Sequence, residues 1–372
     1  MILIIGAGIS GLILAQYLHS QSIPFKIFDR DSALDARTGG WGLTLHWALL
    51  HSAPFSPPRS SIGSPRPLFD VPAEERIRVN RGRLRELLTT GLDVKWNKTL
   101  REIWSDEKGV TAVFEDGEKY IGELLVACDG ARSVARSILY PDAKMNPLPV
   151  QLLGASTLYS AEEMGGVQNI DPFIFQGSHP ETDVFLFFSF LDTPSNFNES
   201  SRDRYHVQII ISWADSKGIA VPKENVDRIA LMKSLSENWS EPFRSLVHKL
   251  PPDAEARSIR IEDWMFAPGR PNLHPRVTLM GDAAHTMTMF RGEGANNAIV
   301  DVLDLVKNVD FRNESCFDSE VLATSLEKYE KEIFKRVEPS FLASRQACLD
   351  AHDFGRIEGS PLVQARVLRE DS

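Results

Sequence analysis

The sequence predicts an α/β fold joined to a second, α+β half, and three observations carry that reading. An apolar strand, Ile2 to Ile5, runs into the turn Gly6-Ala7-Gly8-Ile9-Ser10-Gly11 and then "LILAQYLHS", whose apolar residues recur at helical spacing. Two later apolar strands, "LLVA" and "VTLM", end in Asp129-Gly130 and Gly281-Asp282. Between about residues 150 and 213 the pattern changes to long β-rich pieces, "VFLFFSFL" and "HVQIIISW", with turn clusters between them.

In chain order, the first helix is followed by a second strand, "FKIFDR", that ends at Asp29, eighteen residues beyond Gly11. Residues 54 to 67 hold five prolines, which lack the amide donor that a helix interior or central strand needs, so an exposed loop is expected. "RGRLRELLTT", from Arg81, reads as an amphipathic helix. The segment to about residue 121 alternates and breaks at Lys108-Gly109 and Asp116-Gly117, as a β-meander does. A helical stretch is expected near 224 to 249, then a return through "RIEDWMFAPGR" to the strand before Gly281, and one long helix over 318 to 350.

Composition narrows the function. The 372 residues, 42% hydrophobic, suffice for two units with sizeable cores. Lys and Arg total 41 against 51 Asp and Glu, and no basic run is long enough to track a phosphate backbone, so no nucleic acid partner is expected. Three scattered cysteines, Cys128, Cys316 and Cys348, form no CxxC pair, and no second His or Cys stands at ligand spacing, so neither a disulfide framework nor a metal site is expected. No apolar run approaches the ~20 residues of a membrane helix, and a strand begins at residue 2. A cytoplasmic protein without stable membrane insertion or a leader is the expectation.

The glycines carry the first chemical signal. A glycine turn between a strand and a helix lets backbone N–H groups meet a pyrophosphate at the positive end of the helix dipole, where a side chain would obstruct. Gly6, Gly8 and Gly11 have that spacing, and Asp29, followed by Arg30, stands where an acid accepts the hydroxyls of an adenosine ribose. This Rossmann-like unit predicts dinucleotide binding without choosing between NAD and FAD.

Arg81, opening "RGRLRELL", Asp129-Gly130 with Ser133 and Arg136 after it, and Gly281-Asp282 complete a set that resembles the single-component FAD-dependent aromatic hydroxylases. These flavoprotein monooxygenases include salicylate-hydroxylase-like enzymes and fungal natural-product monooxygenases. The resemblance covers nearly the whole chain and is strongest over 1–45, 77–140 and 260–305. It implies that the first glycine motif and Asp29 hold the ADP half of FAD, that Arg81 reaches the cofactor, and that Asp129-Gly130 serve FAD and NAD(P)H. It implies further that Asp282 contacts the ribityl side, with Gly292, Gly294, Ala295 and Asn296 at the flavin pyrimidine edge. The implied division is an FAD-binding domain in two parts, 1–148 and 258–317, a substrate domain at 149–257 on a mixed β-sheet, and a C-terminal helix and tail at 318–372. The implied reaction uses NAD(P)H and O2 to hydroxylate or epoxidise an electron-rich aromatic substrate through a C4a-hydroperoxyflavin.

The resemblance departs at two places. Arg291 and Glu293 stand where many relatives carry small or neutral residues, an "RGEG" form that a fungal branch shares. Arg291 is the candidate catalytic residue, and whether it binds an anionic substrate, pairs with Glu293 or stabilises reduced flavin stays open at this point. The segment between "GLTLHWAL" and "RVNRGRL" is shorter than in relatives and proline-rich, so part of a substrate roof is expected to be missing or rebuilt. Tyr159, Tyr205, His206 and Arg291 are all candidates for a base. Trp213, Trp264 and the Phe185 to Phe190 cluster are either cavity lining or sheet core, His285 is read as a packed or capping histidine, and His46 and His51 as either flavin-proximal or surface. Of the rivals, a halogenase lacks its WxW segment here, and a nicotinamide-only dehydrogenase leaves Asp129-Gly130 and Gly281-Asp282 without a purpose. A flavoprotein that keeps FAD for oxidation or rearrangement, or only binds it, is the remaining alternative.

Overall fold

Ile2–Ile5, four residues all buried, is the centre of a five-stranded parallel sheet in the computed structural model. The structure describes residues 1–36, 41–45, 59–60, 67–69, 77–171, 173–194, 204–267 and 274–364. Leu124–Ala127 and Val277–Leu279 lie on one side of the central strand, and Phe25–Phe28 and Val94–Lys95 on the other. A parallel sheet covered on both faces demands apolar side chains in every position, which explains the unbroken runs "ILII" and "LLVA". The helices Ile9–Ser20 and Gly294–Asn308 pack on each other, and the three-stranded antiparallel meander Leu100–Ser105, Val110–Phe114 and Lys119–Gly122 stands beside the sheet.

A seven-stranded mixed sheet forms the second layer system. Its long strands are Val150–Ser160, Phe185–Asp192 and Arg204–Ala214, antiparallel throughout, with Ile174–Ser178 and Ala256–Ser258 beside them. Two short strands complete it, Arg59–Ser60 within the region expected to be loop and Pro67–Phe69 starting at its last residue, the first parallel to Ile174–Ser178. Proline is compatible with this last strand, which is the edge of the sheet among the described residues. The rest of the proline-rich stretch, and His46 and His51, lie outside the described residues.

Side-chain alternation divides this sheet into two faces. Leu153, Ala155, Phe188, Phe190, Val207, Ile209, Ile211 and Trp213 point into a core closed by Ala161–Gln168, Asn225–Leu235 and Phe243–His248. The intervening residues point the other way, toward the parallel-sheet half. The long helix is Ser319–Asp350, and its buried stripe Leu322, Leu326, Tyr329, Ile333, Val337 and Phe341 has the three-to-four spacing of an amphipathic helix laid on a core. Arg345 grips the buried Asp263 with two donors at 2.6 and 2.7 Å, fastening that helix to the return strand Glu262–Met265.

Candidate functional site

The first glycine turn has two kinds of glycine. Gly6, at φ +104°, sits so close to Cys128 that a Cβ would come within 2.3 Å of its carbonyl oxygen, and a Cβ on Gly11 would come within 2.0 Å of the Gly6 oxygen. These two are required by the fold itself. Gly8 differs: its nearest neighbour would be 4.0 Å away, in open space at the bare N-terminus of Ile9–Ser20. Asp29, buried, accepts from Ala7 N at 2.7 Å and from Asp31 N at 2.8 Å, and Arg85 ties Asp29, Asp31 and the Ala7 carbonyl together. Asp29 and Arg30 stand outside the lining of the central cavity described below. Arg85 was missed at the sequence level, although it lies one turn beyond Arg81 on the same helix.

The other two aspartates have different surroundings. Asp129 turns inward, accepting from Ser133 Oγ at 2.5 Å and Val134 N at 2.7 Å at the start of the helix Val134–Leu139, and burial holds its pKa above the ordinary carboxylate range. Its neighbour Gly130, at φ +81°, lines the cavity instead. Arg136 joins the two motifs, donating to Thr286 Oγ1 at 3.2 Å and to the Asp282 carbonyl at 3.4 Å, with its guanidinium 4.8 Å from the Trp264 ring. Trp264 therefore backs an arginine rather than lining the cavity.

Asp282 shows its carboxylate to the cavity while protein surrounds it on the other sides, and this desolvation raises its pKa. The turn that carries it is held from below. Asp301 Oδ2 accepts from Gly281 N at 2.8 Å and lies 2.6 Å from His285 Nε2, and Arg336 joins Asp301 from the long helix. Burial opposes ionisation of Asp301, but His285 and Arg336 together hold its pKa below the usual value. His285 is thus packed in an ion-pair network.

At the next turn Gly292, Gly294 and Ala295 line the cavity at the N-terminus of Gly294–Asn308. Asn296 instead faces inward and donates to the Thr44 and Gly292 carbonyls at 3.0 and 3.2 Å. Arg291 lines the cavity, with Nε donating to Glu293 Oε2 at 2.6 Å and a terminal nitrogen to the Pro361 carbonyl. Among the three roles left open by the sequence, pairing with Glu293 is the contact present.

These motifs share one chamber of about 510 Å³ with the second sheet. Gly8, Arg81, Gly130, Asp282, Gly294 and Ala295 form one side, and Leu152, Ile174, Gln176, Phe185, Phe187, Gln208 and Ile210 form the other. Phe185 and Phe187 fulfil the cavity reading, whereas Phe188, Phe190 and Trp213 belong to the opposite core because alternation turns them away. The proposed bases fare likewise. Tyr159 is buried in that core and donates to the Leu246 carbonyl at 2.5 Å, Tyr205 packs against the same core, and His206, whose pKa burial lowers, is not on the wall. Gln208 was missed, although a lone polar residue inside "VQIII" was the available signal.

The geometry fits a flavin dinucleotide. A Cβ at Gly8, Gly130 or Gly292 would meet no chain atom nearer than 4.0 Å, so the backbone is bared toward the cavity at three turns. Among the described residues no group of three His, Cys, Asp or Glu could hold a metal ion, and no helix is long and apolar enough to cross a membrane.

Residues 79–311 match a protein family described as an FAD binding domain. A probable FAD-dependent monooxygenase of Arthroderma benhamiae is 40% identical, covering 100% of this chain and 96% of its own length. The alignment spans 413 positions, more than this chain's 372, so the relative carries residues that this chain lacks. An FAD-dependent monooxygenase of Emericella nidulans is 36% identical over 83% of this chain and 86% of its own. Among solved structures, 2,6-dihydroxypyridine-3-hydroxylase from Arthrobacter nicotinovorans superposes with a TM-score of 0.79 at 20% identity, covering 100% and 98% of the two chains. HpxO of Klebsiella pneumoniae, solved with FAD and uric acid, gives 0.73 at 20% identity, covering 96% and 91%.

Proposed function

The chain belongs to the FAD-dependent monooxygenases, and from that premise we propose that it uses NAD(P)H and O2 to hydroxylate an electron-rich aromatic substrate. One oxygen atom of O2 enters the ring, the other leaves as water, and NAD(P)H supplies the two electrons. Bound FAD provides the redox and oxygen chemistry, and the chain provides position, water exclusion and electrostatics.

A single observation carries this reading: the cofactor motifs and an apolar, aromatic sheet face enclose the same chamber. The pyrophosphate is assigned to Gly6, Gly8 and the helix N-terminus after them, the adenosine ribose to Asp29, and the ribityl chain to Asp282. Arg81, Gly130, Gly292, Gly294 and Ala295 complete the cofactor side, with Asn296 fixing the turn from within. The N-terminus of Gly294–Asn308 lowers the energy of negative charge beside it by up to ~2 kcal/mol when partly buried, and would so stabilise negative charge on a flavin held there. The Arg291 charge beside that helix end is offset by its pairing with Glu293.

Oxygen labelling tests the proposal. Holoenzyme given NADPH, hydroxylated arenes and ¹⁸O2 is expected to yield a product carrying one labelled oxygen atom, whereas hydrogen peroxide as the only oxygen product, with every arene unchanged, contradicts it.

A further inference from the structure

Gln208 is only 3% exposed and lines the chamber from the middle of the second sheet. Its Oε1 accepts from Gly42 N at 3.1 Å. Because a backbone N–H can only donate, this contact fixes the amide orientation and turns Nε2, with its two donors, the other way. Among the described residues no acceptor meets Nε2. A donor on the chamber wall that the chain leaves without an acceptor has an oxygen-bearing ligand as its natural partner.

The cations on the wall differ in kind. Arg291 is neutralised by Glu293, and Arg260 lies 3.3 Å from Glu262. Arg78 donates to Thr44 Oγ1 at 3.0 Å, to Ser189 Oγ at 2.6 Å and to the Phe190 carbonyl at 3.4 Å, while the charge of Arg81 acts on the Asp282 carboxylate. Each guanidinium is already engaged by the chain. The strand residues around Gln208 are themselves uncharged, Ser189 and Ser156 being its cross-strand neighbours with Ile210 and Phe187 in the next row, and the Arg78 guanidinium that reaches Ser189 spends its donors on acceptors of the chain.

We propose that Gln208 Nε2 is the specificity-determining donor of the chamber, taking the oxygen of an uncharged oxygenated arene, a phenol or aryl ketone, in preference to an aryl carboxylate. The proposal rests on the reading that the chamber holds an aromatic substrate beside FAD. It does not require turnover.

The test is a titration of the oxidised holoenzyme, without NADPH, with 2-naphthol and with 3-hydroxy-2-naphthoate, read as perturbation of the flavin visible band. The wild type is expected to bind the naphthol roughly ten-fold or more tightly than the naphthoate. At pH 8, Gln208→Glu keeps an oxygen for Gly42 N–H but removes the donors, and Gln208→Met removes both. Each is expected to weaken naphthol binding roughly ten-fold or more while retaining FAD. Unchanged naphthol affinity in both variants, equal or tighter naphthoate binding by the wild type, or no perturbation by either compound would overturn the proposal. Loss of FAD from both variants would also overturn it, because Gln208 would then hold the cofactor rather than read the substrate. The absence of labelled product would overturn the monooxygenase reading and leave this binding result standing.

Discussion

Asp301 Oδ2 receives Gly281 N at 2.8 Å and stands 2.6 Å from His285 Nε2, all three groups buried. One carboxylate on the helix Gly294–Asn308 thus fixes the turn that presents Asp282 to the chamber. Removing one partner of a buried charge network leaves the others uncompensated. Asp301→Asn is therefore expected to cost about 3–5 kcal/mol of stability and to lower FAD retention with it, as urea denaturation of the holo and FAD-stripped protein would measure.

Asp282 is expected to behave in the opposite way. Its carboxylate meets the cavity and its raised pKa reports that the folded protein without cofactor disfavours the charge. Asp282→Asn should leave the FAD-free protein as stable as the wild type or slightly more so, within about 1 kcal/mol, while FAD dissociates more readily. Thermal melts of stripped protein and equilibrium dialysis of FAD separate the two effects. An unchanged FAD affinity would remove Asp282 from the cofactor site.

The first glycine turn offers a contrast within one motif. Gly8 has extended backbone and an open side, so Gly8→Ala should fold, gaining about 0.4–1 kcal/mol from reduced unfolded-state freedom, yet exclude FAD. Gly11→Ala drives a methyl into the Gly6 carbonyl and should destabilise the chain by roughly 1–3 kcal/mol or more. Melting temperature and bound flavin, measured on both variants, are expected to part company in this way.

His352 carries a pH dependence. Its Nδ1 donates to the Cys348 carbonyl at 2.7 Å, so the neutral ring accepts from Ser212 Oγ at 2.8 Å through Nε2. Burial lowers its pKa from 6.5 to about 4. The unfolded chain then takes up a proton first, and stability present above pH 6.5 is lost as pH falls toward 4, by at most roughly 3 kcal/mol. Glu330, raised by burial to about 7, works the other way, its contribution being present at acid pH and lost as pH rises through 7. The difference between the wild type and His352→Gln isolates the histidine: the wild type's advantage should shrink between pH 6.5 and 4 in urea melts.

The sequence displayed this fold wherever one local rule acted alone. Ile2–Ile5 with its glycine turn, the meander around Lys108-Gly109 and Asp116-Gly117, and the helix Ser319–Asp350 all follow from strand runs, turn chemistry and helical spacing. What stayed hidden depends on contacts between distant segments. Arg85 meets Asp29 across 56 positions and Arg336 meets Asp301 across 35. Tyr159 and Trp213 were ambiguous because an aromatic strand residue looks the same on either face until the neighbouring sheet half is in place. Gln208 drew no attention for the opposite reason, since its meaning comes from the cavity it faces.

The visible spectrum of the purified holoenzyme under air, followed as NADPH and then a hydroxylated arene are added, tests the central claim that cofactor and aromatic substrate share the chamber. The account predicts a two-band flavin spectrum that bleaches faster when the arene is present and recovers with consumption of O2. A flavin that NADPH never bleaches, or one whose bleaching is indifferent to every arene, would contradict it.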